Sequence, residues 1–148
     1  MPKVHFFFID TKVPLRNRTQ LKAFVESIFK QEKTDLESIN YVFGSDEYLL
    51  EINRQYLNHD YYTDIITFDL ADSGMPVMGD VHISYDRIRD NAAIVKSGVT
   101  EELHRVIFHG ALHLCGYKDK SPIDERLMRK KEDEYLTKYF KKVSRGTL

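Results

Sequence analysis

At 148 residues, with 42% hydrophobic and 30% charged side chains, the chain suits one domain over residues 1–148 with a sizeable core and is too polar for a membrane-embedded protein. Its net charge of -1 excludes attraction to nucleic acid through bulk charge, so any such contact must be local. A single cysteine excludes an internal disulfide, and no apolar run approaches the ~18 residues of a membrane span, which predicts a soluble cytoplasmic protein.

Residues 4–9 read as a buried strand from their aromatic and β-branched content. Preceded by a single Lys3 and lacking a small-residue cleavage site, this stretch is not read as a signal peptide. Asn17 or Thr19 is placed to cap a helix reaching Lys33, with Leu21, Phe24, Val25, Ile28 and Phe29 at helical spacing. A second strand is expected over 39–43, and Ser45 caps a helix running to about Leu57. Two more strands are expected over 65–68 and 81–84, separated by a Gly/Pro/Asp-containing loop over 69–76. A helix covers about 86–96, and Gly98 marks its break. Thr100 is the expected cap of the next helix, with Glu101 and Glu102 favourable in its first turn. Ser121-Pro122 starts the last helix, proline at its first position.

Strands followed by helices, with at least one β-α-β crossover, predict an α+β fold (an α/β sandwich). It consists of a small mixed sheet of about four strands packed with about five helices. The helix after Gly98 is the central one. It carries His109-Gly-Ala-Leu-His113-Leu-Cys-Gly-Tyr-Lys-Asp119, the most informative stretch of the chain. Two histidines four residues apart fall on one helix face. Gly116 ends the helix where a left-handed cap is cheap, which turns Asp119 back towards the two imidazoles. Two nitrogens and one carboxylate oxygen suit zinc or a related divalent ion, one per chain, with a position left for water. The apolar surroundings strengthen the pattern: Val106, Ile107, Phe108, Leu112 and Leu114 bury most sides of this helix, and histidines aimed inward from it need partners.

Neighbouring residues are read more plainly. Cys115 lies about 200° around the helix from His113 and points away from the metal as a small core residue. His104, off the shared face, is expected at the surface or behind the ligands. Gly110 stands where a zinc peptidase of the His-Glu-x-x-His type carries its general base, which argues against that activity. The same glycine implies that a neighbouring element or a substrate backbone approaches closely. His59 and His82 are general-base candidates by residue type alone, and satisfied histidines are the plainer reading of both. Asp64 and Asp80 either border the cleft or serve strand-end turns. The basic residues from Arg126 to Arg145 read equally well as a solvated helix face or an RNA-facing surface.

The His109–Asp119 stretch resembles the His-Gly-x-Leu-His-Leu-x-Gly-Tyr-Asp-His signature of YbeY-type endoribonucleases, bacterial factors of rRNA maturation. Thr63-Asp-Ile-Ile-Thr-Phe68, Met78-Gly-Asp-Val81 and Ile52-Asn53 resemble further blocks of that family, in family order. The resemblance implies a single-strand-specific, metal-dependent endoribonuclease acting in 16S rRNA maturation and ribosome quality control. Its implied partners are single-stranded RNA and the small ribosomal subunit. Two departures stand out: Asp119 replaces the family's third histidine, and Leu57 stands where the family has an arginine. Arg54, one helical turn away from Leu57, is the replacement candidate for the phosphate contact, with Lys118 and Lys120 as other cations near the motif. The competing reading is a non-catalytic RNA- or ribosome-binding factor in which metal staples the fold. The absence of a fourth strong ligand in the motif favours catalysis.

Overall fold

A computed structural model describes residues 2–145. Its elements run β1 (Val4–Phe8), α1 (Arg18–Gln31), β2 (Leu36–Gly44), α2 (Asp46–Leu57), β3 (Ile65–Asp69), β4 (Val77–Ser84), α3 (Tyr85–Val95), α4 (Val99–Leu114) and α5 (Pro122–Arg145). The four strands form one mixed sheet in the order β1-β2-β4-β3. β1, β2 and β4 are parallel and β3 is antiparallel to β4, giving the expected α+β architecture of four strands and five helices among the described residues.

Strand alternation divides the sheet into two faces. Ile39, Tyr41 and Phe43 of β2 and Val81 and Ile83 of β4 are fully buried and point to one side. There they join Leu21, Phe24, Val25, Ile28 and Phe29 of α1, Leu103, Ile107, Phe108, Ala111 and Leu112 of α4, and Met128, Tyr135, Leu136 and Tyr139 of α5 in one core. The intervening residues face the other side, where α2 packs: Tyr48 Oη lies 3.0 Å from His82 Nδ1, and the Tyr56 ring meets Phe68 edge-on. Among the described residues no helix is long and apolar enough to cross a membrane.

Ser45 caps α2 as expected, its hydroxyl accepting from the Tyr48 amide at 3.2 Å. Thr100 is not a cap. α4 begins two residues earlier, with Gly98 in extended backbone at its N-cap, and the Thr100 carbonyl instead accepts a 2.7 Å hydrogen bond from His104 Nδ1. That bond accounts for a second difference, because His104 is buried among aromatic core residues, neither at the surface nor against the clustered His109, His113 and Asp119. Its ring stacks on Tyr139 with centroids 5.2 Å apart and meets Phe140 edge-on. The aromatic wrapping replaces solvent, and burial lowers the imidazole pKa despite the carbonyl contact. Above the unfolded value of ~6.5 both states are neutral and His104 carries no penalty; as pH falls through that value towards the lower folded one, only the unfolded state gains the proton. Acidification should therefore destabilise the metal-free protein, and His104→Phe should flatten the slope of unfolding free energy between about pH 7 and pH 5. Parallel slopes for the two proteins in urea titrations would refute this assignment.

Gly110 is where α4 comes down on the sheet. A Cβ there would lie 2.9 Å from Val81 Cγ1 and 3.2 Å from Ile65 Cδ1, so the close neighbour expected from the sequence is the side-chain surface of β3 and β4. Gly110→Ala should cost about 1–3 kcal/mol through overpacking, although alanine has the better helix propensity. Chemical denaturation measures it; a more stable variant would mean that the helix lifts freely.

Candidate metal centre

α4 ends in a Schellman arrangement that places the third member of the predicted ligand set, Asp119. Gly116 adopts φ 103°, its amide donates to the His113 carbonyl at 3.0 Å, and the Tyr117 amide donates to the Leu112 carbonyl at 3.0 Å. The chain reverses there and carries Asp119 over the helix end. Asp119 Oδ2 stands 3.2 Å from His109 Nε2 and 3.2 Å from His113 Nε2. Thus the structure brings His109, His113 and Asp119 together, with their donor atoms within 4.8 Å of one another.

Each imidazole is held from behind. His109 Nδ1 donates to Glu132 Oε2 at 2.6 Å, and His113 Nδ1 donates to the Tyr117 carbonyl at 2.9 Å. A carbonyl oxygen can only accept, so His113 must carry its proton on Nδ1. In the neutral rings both Nε2 lone pairs then face Asp119 Oδ2, and three acceptors crowd one point. Such a point demands a cation, either a proton or a metal ion. The raised pKa of His109 expresses the same demand: burial opposes the charged form, but the Glu132 hydrogen bond and charge, with Asp119 and Asp64 behind them, outweigh it. Metal–nitrogen and metal–oxygen bonds of ~2.0–2.1 Å in a tetrahedron separate the ligand atoms by about 3.3–3.4 Å, close to the 3.2 Å between Asp119 Oδ2 and each Nε2. The residues present therefore fit a divalent metal ion.

Glu132 was not anticipated from the motif, yet it left a trace in the sequence. It lies four residues after Met128 and three before Tyr135, on the buried stripe of α5, where a carboxylate needs a reason to be. Its side chain is 6% exposed; besides His109 it takes Arg105 Nη1 on Oε1 at 3.0 Å. Arg105 in turn reaches Asp133 at 2.8 Å and Glu102 at 3.7 Å. A second support lies behind His113. Glu32, at the C-terminal end of α1, accepts from the hydroxyls of Tyr117 (2.6 Å) and Tyr135 and from Lys131 Nζ at 3.4 Å. Although burial opposes ionisation, these donors and the lysine charge lower the Glu32 pKa. Cys115 faces away from the ligands as expected, beside Thr34, and its half-buried thiol is pushed up to about 11 by burial.

The centre opens into a cleft of about 900 Å³ between α4, α5 and β3. Asp64 and Thr63 line it, whereas Asp80 does not and instead accepts from Asn40 Nδ2 at 3.2 Å. Burial raises the Asp64 carboxyl pKa, only partly offset by His109. The cleft's cations are Lys120, Arg105 and Arg129. Arg54 is not brought to it: its Nε donates to Asp60 Oδ1 at 2.5 Å on the exposed side of α2, while Leu57 is the residue of that helix turn facing the opening. Of the two general-base candidates, His59 lines the cleft and His82 sits under α2 against Tyr48. The basic residues of α5 divide as well. Lys131 is consumed by Glu32, Arg129 enters the cleft, and Arg126, Lys130, Lys138 and Lys141 stay on the exposed face.

The profile of the family described as "Endoribonuclease YbeY" matches residues 8–140. The Endoribonuclease YbeY of Cytophaga hutchinsonii is 49% identical over 134 residues, covering 90% of this chain and 94% of that protein. The Flavobacterium psychrophilum protein of the same name is 50% identical over 130 residues, covering 88% and 92%. The solution structure of TM1509 from Thermotoga maritima shares the fold with a TM-score of 0.66 at 23% identity, over 95% of this chain and 93% of that one. With the match spanning nearly the whole fold and including the stretch that carries the three clustered side chains, the chain belongs to the YbeY endoribonuclease family.

Proposed function

We propose that this protein is a metal-dependent endoribonuclease that cuts single-stranded RNA at the cleft beside His109, His113 and Asp119. We assign it one zinc ion per chain. In the cell its substrate is rRNA of the small ribosomal subunit, processed in the cytoplasm during 16S maturation and ribosome quality control. One observation carries the reading: Asp119 Oδ2 stands 3.2 Å from Nε2 of each of two histidines in the lining of an open cleft.

A divalent ion bound there supplies Lewis acidity, making water a stronger acid near neutral pH and drawing electron density from a phosphoryl oxygen. The protein's own groups do the rest. Glu132 and the Tyr117 carbonyl keep Nδ1 of each histidine protonated, so that each Nε2 is free to ligate. Asp64 borders the cleft with a raised pKa, which makes its carboxylate a better proton acceptor than an exposed aspartate. Lys120 and Arg129 take the phosphate-neutralising role first assigned to Arg54, since they line the cleft and Arg54 is engaged by Asp60.

The test is cleavage of an unstructured oligoribonucleotide by metal-loaded, chelated and Asp119-substituted protein. Asp119→Ala should weaken metal binding about 10-fold or more and cut cleavage with it, whereas Asp119→His should hold zinc at least as tightly, imidazole being the softer donor. Cleavage that survives both chelation and loss of His109 would come from a contaminant and would overturn the proposal. Metal affinity unchanged in Asp119→Ala would make Asp119 a turn residue only.

A further inference from the structure

The loop between α2 and β3 presents an aromatic pair on the wall of the cleft. The His59 and Tyr61 rings stack with centroids 5.1 Å apart at 22°, and Tyr61 Oη lies 3.0 Å from His59 Nδ1. Both residues line the cleft that holds the three ligands. Tyr61 is 55% exposed, so its ring has not collapsed into the core. Nor is the loop slack beneath it. Asn53, 1% exposed, donates from Nδ2 to the Tyr61 carbonyl at 2.9 Å, and its own carbonyl accepts from the His59 amide at 3.1 Å. A single buried asparagine thus clamps the backbone of both aromatic residues.

A solvent-facing ring pair on a backbone held by Asn53, in the same cleft as His109, His113 and Asp119, suits a flat, unsaturated partner. We infer that His59 and Tyr61 form a stacking platform for one unpaired nucleobase of the RNA, next to the phosphate that reaches the ligands. This inference rests on the nuclease reading of the same cleft and adds a basis for single-strand preference. A base paired in a duplex keeps both faces covered by its neighbours, whereas an unpaired one can leave the stack and lie on an aromatic ring. Every base has a π face, so the platform selects for unpairedness and not for sequence. Stacking there adds affinity beyond what Lys120 and Arg129 supply to the phosphate by charge.

Binding is measured by fluorescence anisotropy with metal-free protein in chelator, so that no cleavage intervenes, using a single-stranded oligoribonucleotide and the same strand carrying abasic sites. Stacking of one base is worth ~1–3 kcal/mol, hence roughly 5- to 100-fold in affinity. Wild-type protein should bind the abasic strand weaker by that factor. Tyr61→Leu with His59→Leu should lower binding of the intact strand to the abasic level, while Tyr61→Phe, which keeps the ring and loses the bond to His59, should bind nearly as wild type. Competition titration with zinc checks that the variants keep the metal site. Equal affinity of wild type for the two strands overturns the platform, and needs no variant to show it. Discrimination that persists in the double variant overturns it too. Base discrimination without any metal-dependent cleavage by wild type would support the platform and sink the nuclease reading, so the two failures are separable.

Discussion

His109→Ala or His113→Ala should strip the protein of most of its metal and lower RNA cleavage by at least ~100-fold, the upper end of what losing even a supporting residue costs. The fold should persist. α4 is anchored by Val106, Ile107, Phe108, Ala111 and Leu112, all buried in the core shared with α1 and α5. In His109→Ala the Glu132 carboxylate keeps Arg105, so the deletion does not orphan a buried charge. Elemental analysis of the purified variants, with circular dichroism as the control for folding, decides the matter. Wild-type metal content in both variants would remove His109 and His113 from the site.

Glu132 should matter for metal binding without touching the metal. Glu132→Ala leaves His109 Nδ1 without its acceptor, frees the ring to turn or change tautomer, and should weaken zinc binding by roughly 10- to 100-fold. It also takes from Arg105 its most buried partner. Removing one member of a buried ion pair costs ~3–5 kcal/mol, and the value here should sit at the low end because Asp133 and Glu102 remain within reach. Glu132→Gln separates the two effects: its amide oxygen can still accept from Nδ1, so ring orientation returns while the charge does not. Chelator competition reads the first effect and urea unfolding the second. If zinc affinity in Glu132→Ala equals wild type, His109 needs no orientation from α5.

The clustering of His109, His113 and Asp119 was legible in the sequence because they lie on one short stretch, and local rules reach that far: helical spacing for His109 and His113, a glycine stop for the turn back to Asp119. The mixed sheet and its helices were legible for a similar reason, since Leu21 to Phe29 and Ile39 to Phe43 carry their periodicities openly. What escaped is what depends on chain folded from afar. Glu132 meets His109 from 23 residues away and Glu32 meets Tyr117 from 85, and no spacing rule reports such meetings. Thr100 misled because a good capping residue sat two positions inside a helix whose true cap, Gly98, offers no side-chain bond. His104 misled because its polar edge is satisfied by its own helix, which leaves the ring free to act as an aromatic core residue. Arg54 misled because Asp60, in the next loop, claims it first.

That same compactness of the ligand set has a thermodynamic consequence. His109, His113 and Asp119 remain close along the chain after unfolding, so the denatured state keeps a weak chelating segment of its own. A ligand stabilises a fold only by the difference between its affinities for the folded and unfolded chains. The part of zinc's affinity that the bare segment retains cancels, and the melting temperature registers only what Glu132, the Tyr117 carbonyl and the Glu32 node add by holding the ligands in place. Saturating metal should therefore raise thermal stability by less than the native dissociation constant alone would give. A peptide spanning residues 104–121, titrated with zinc, would supply the missing half of that difference.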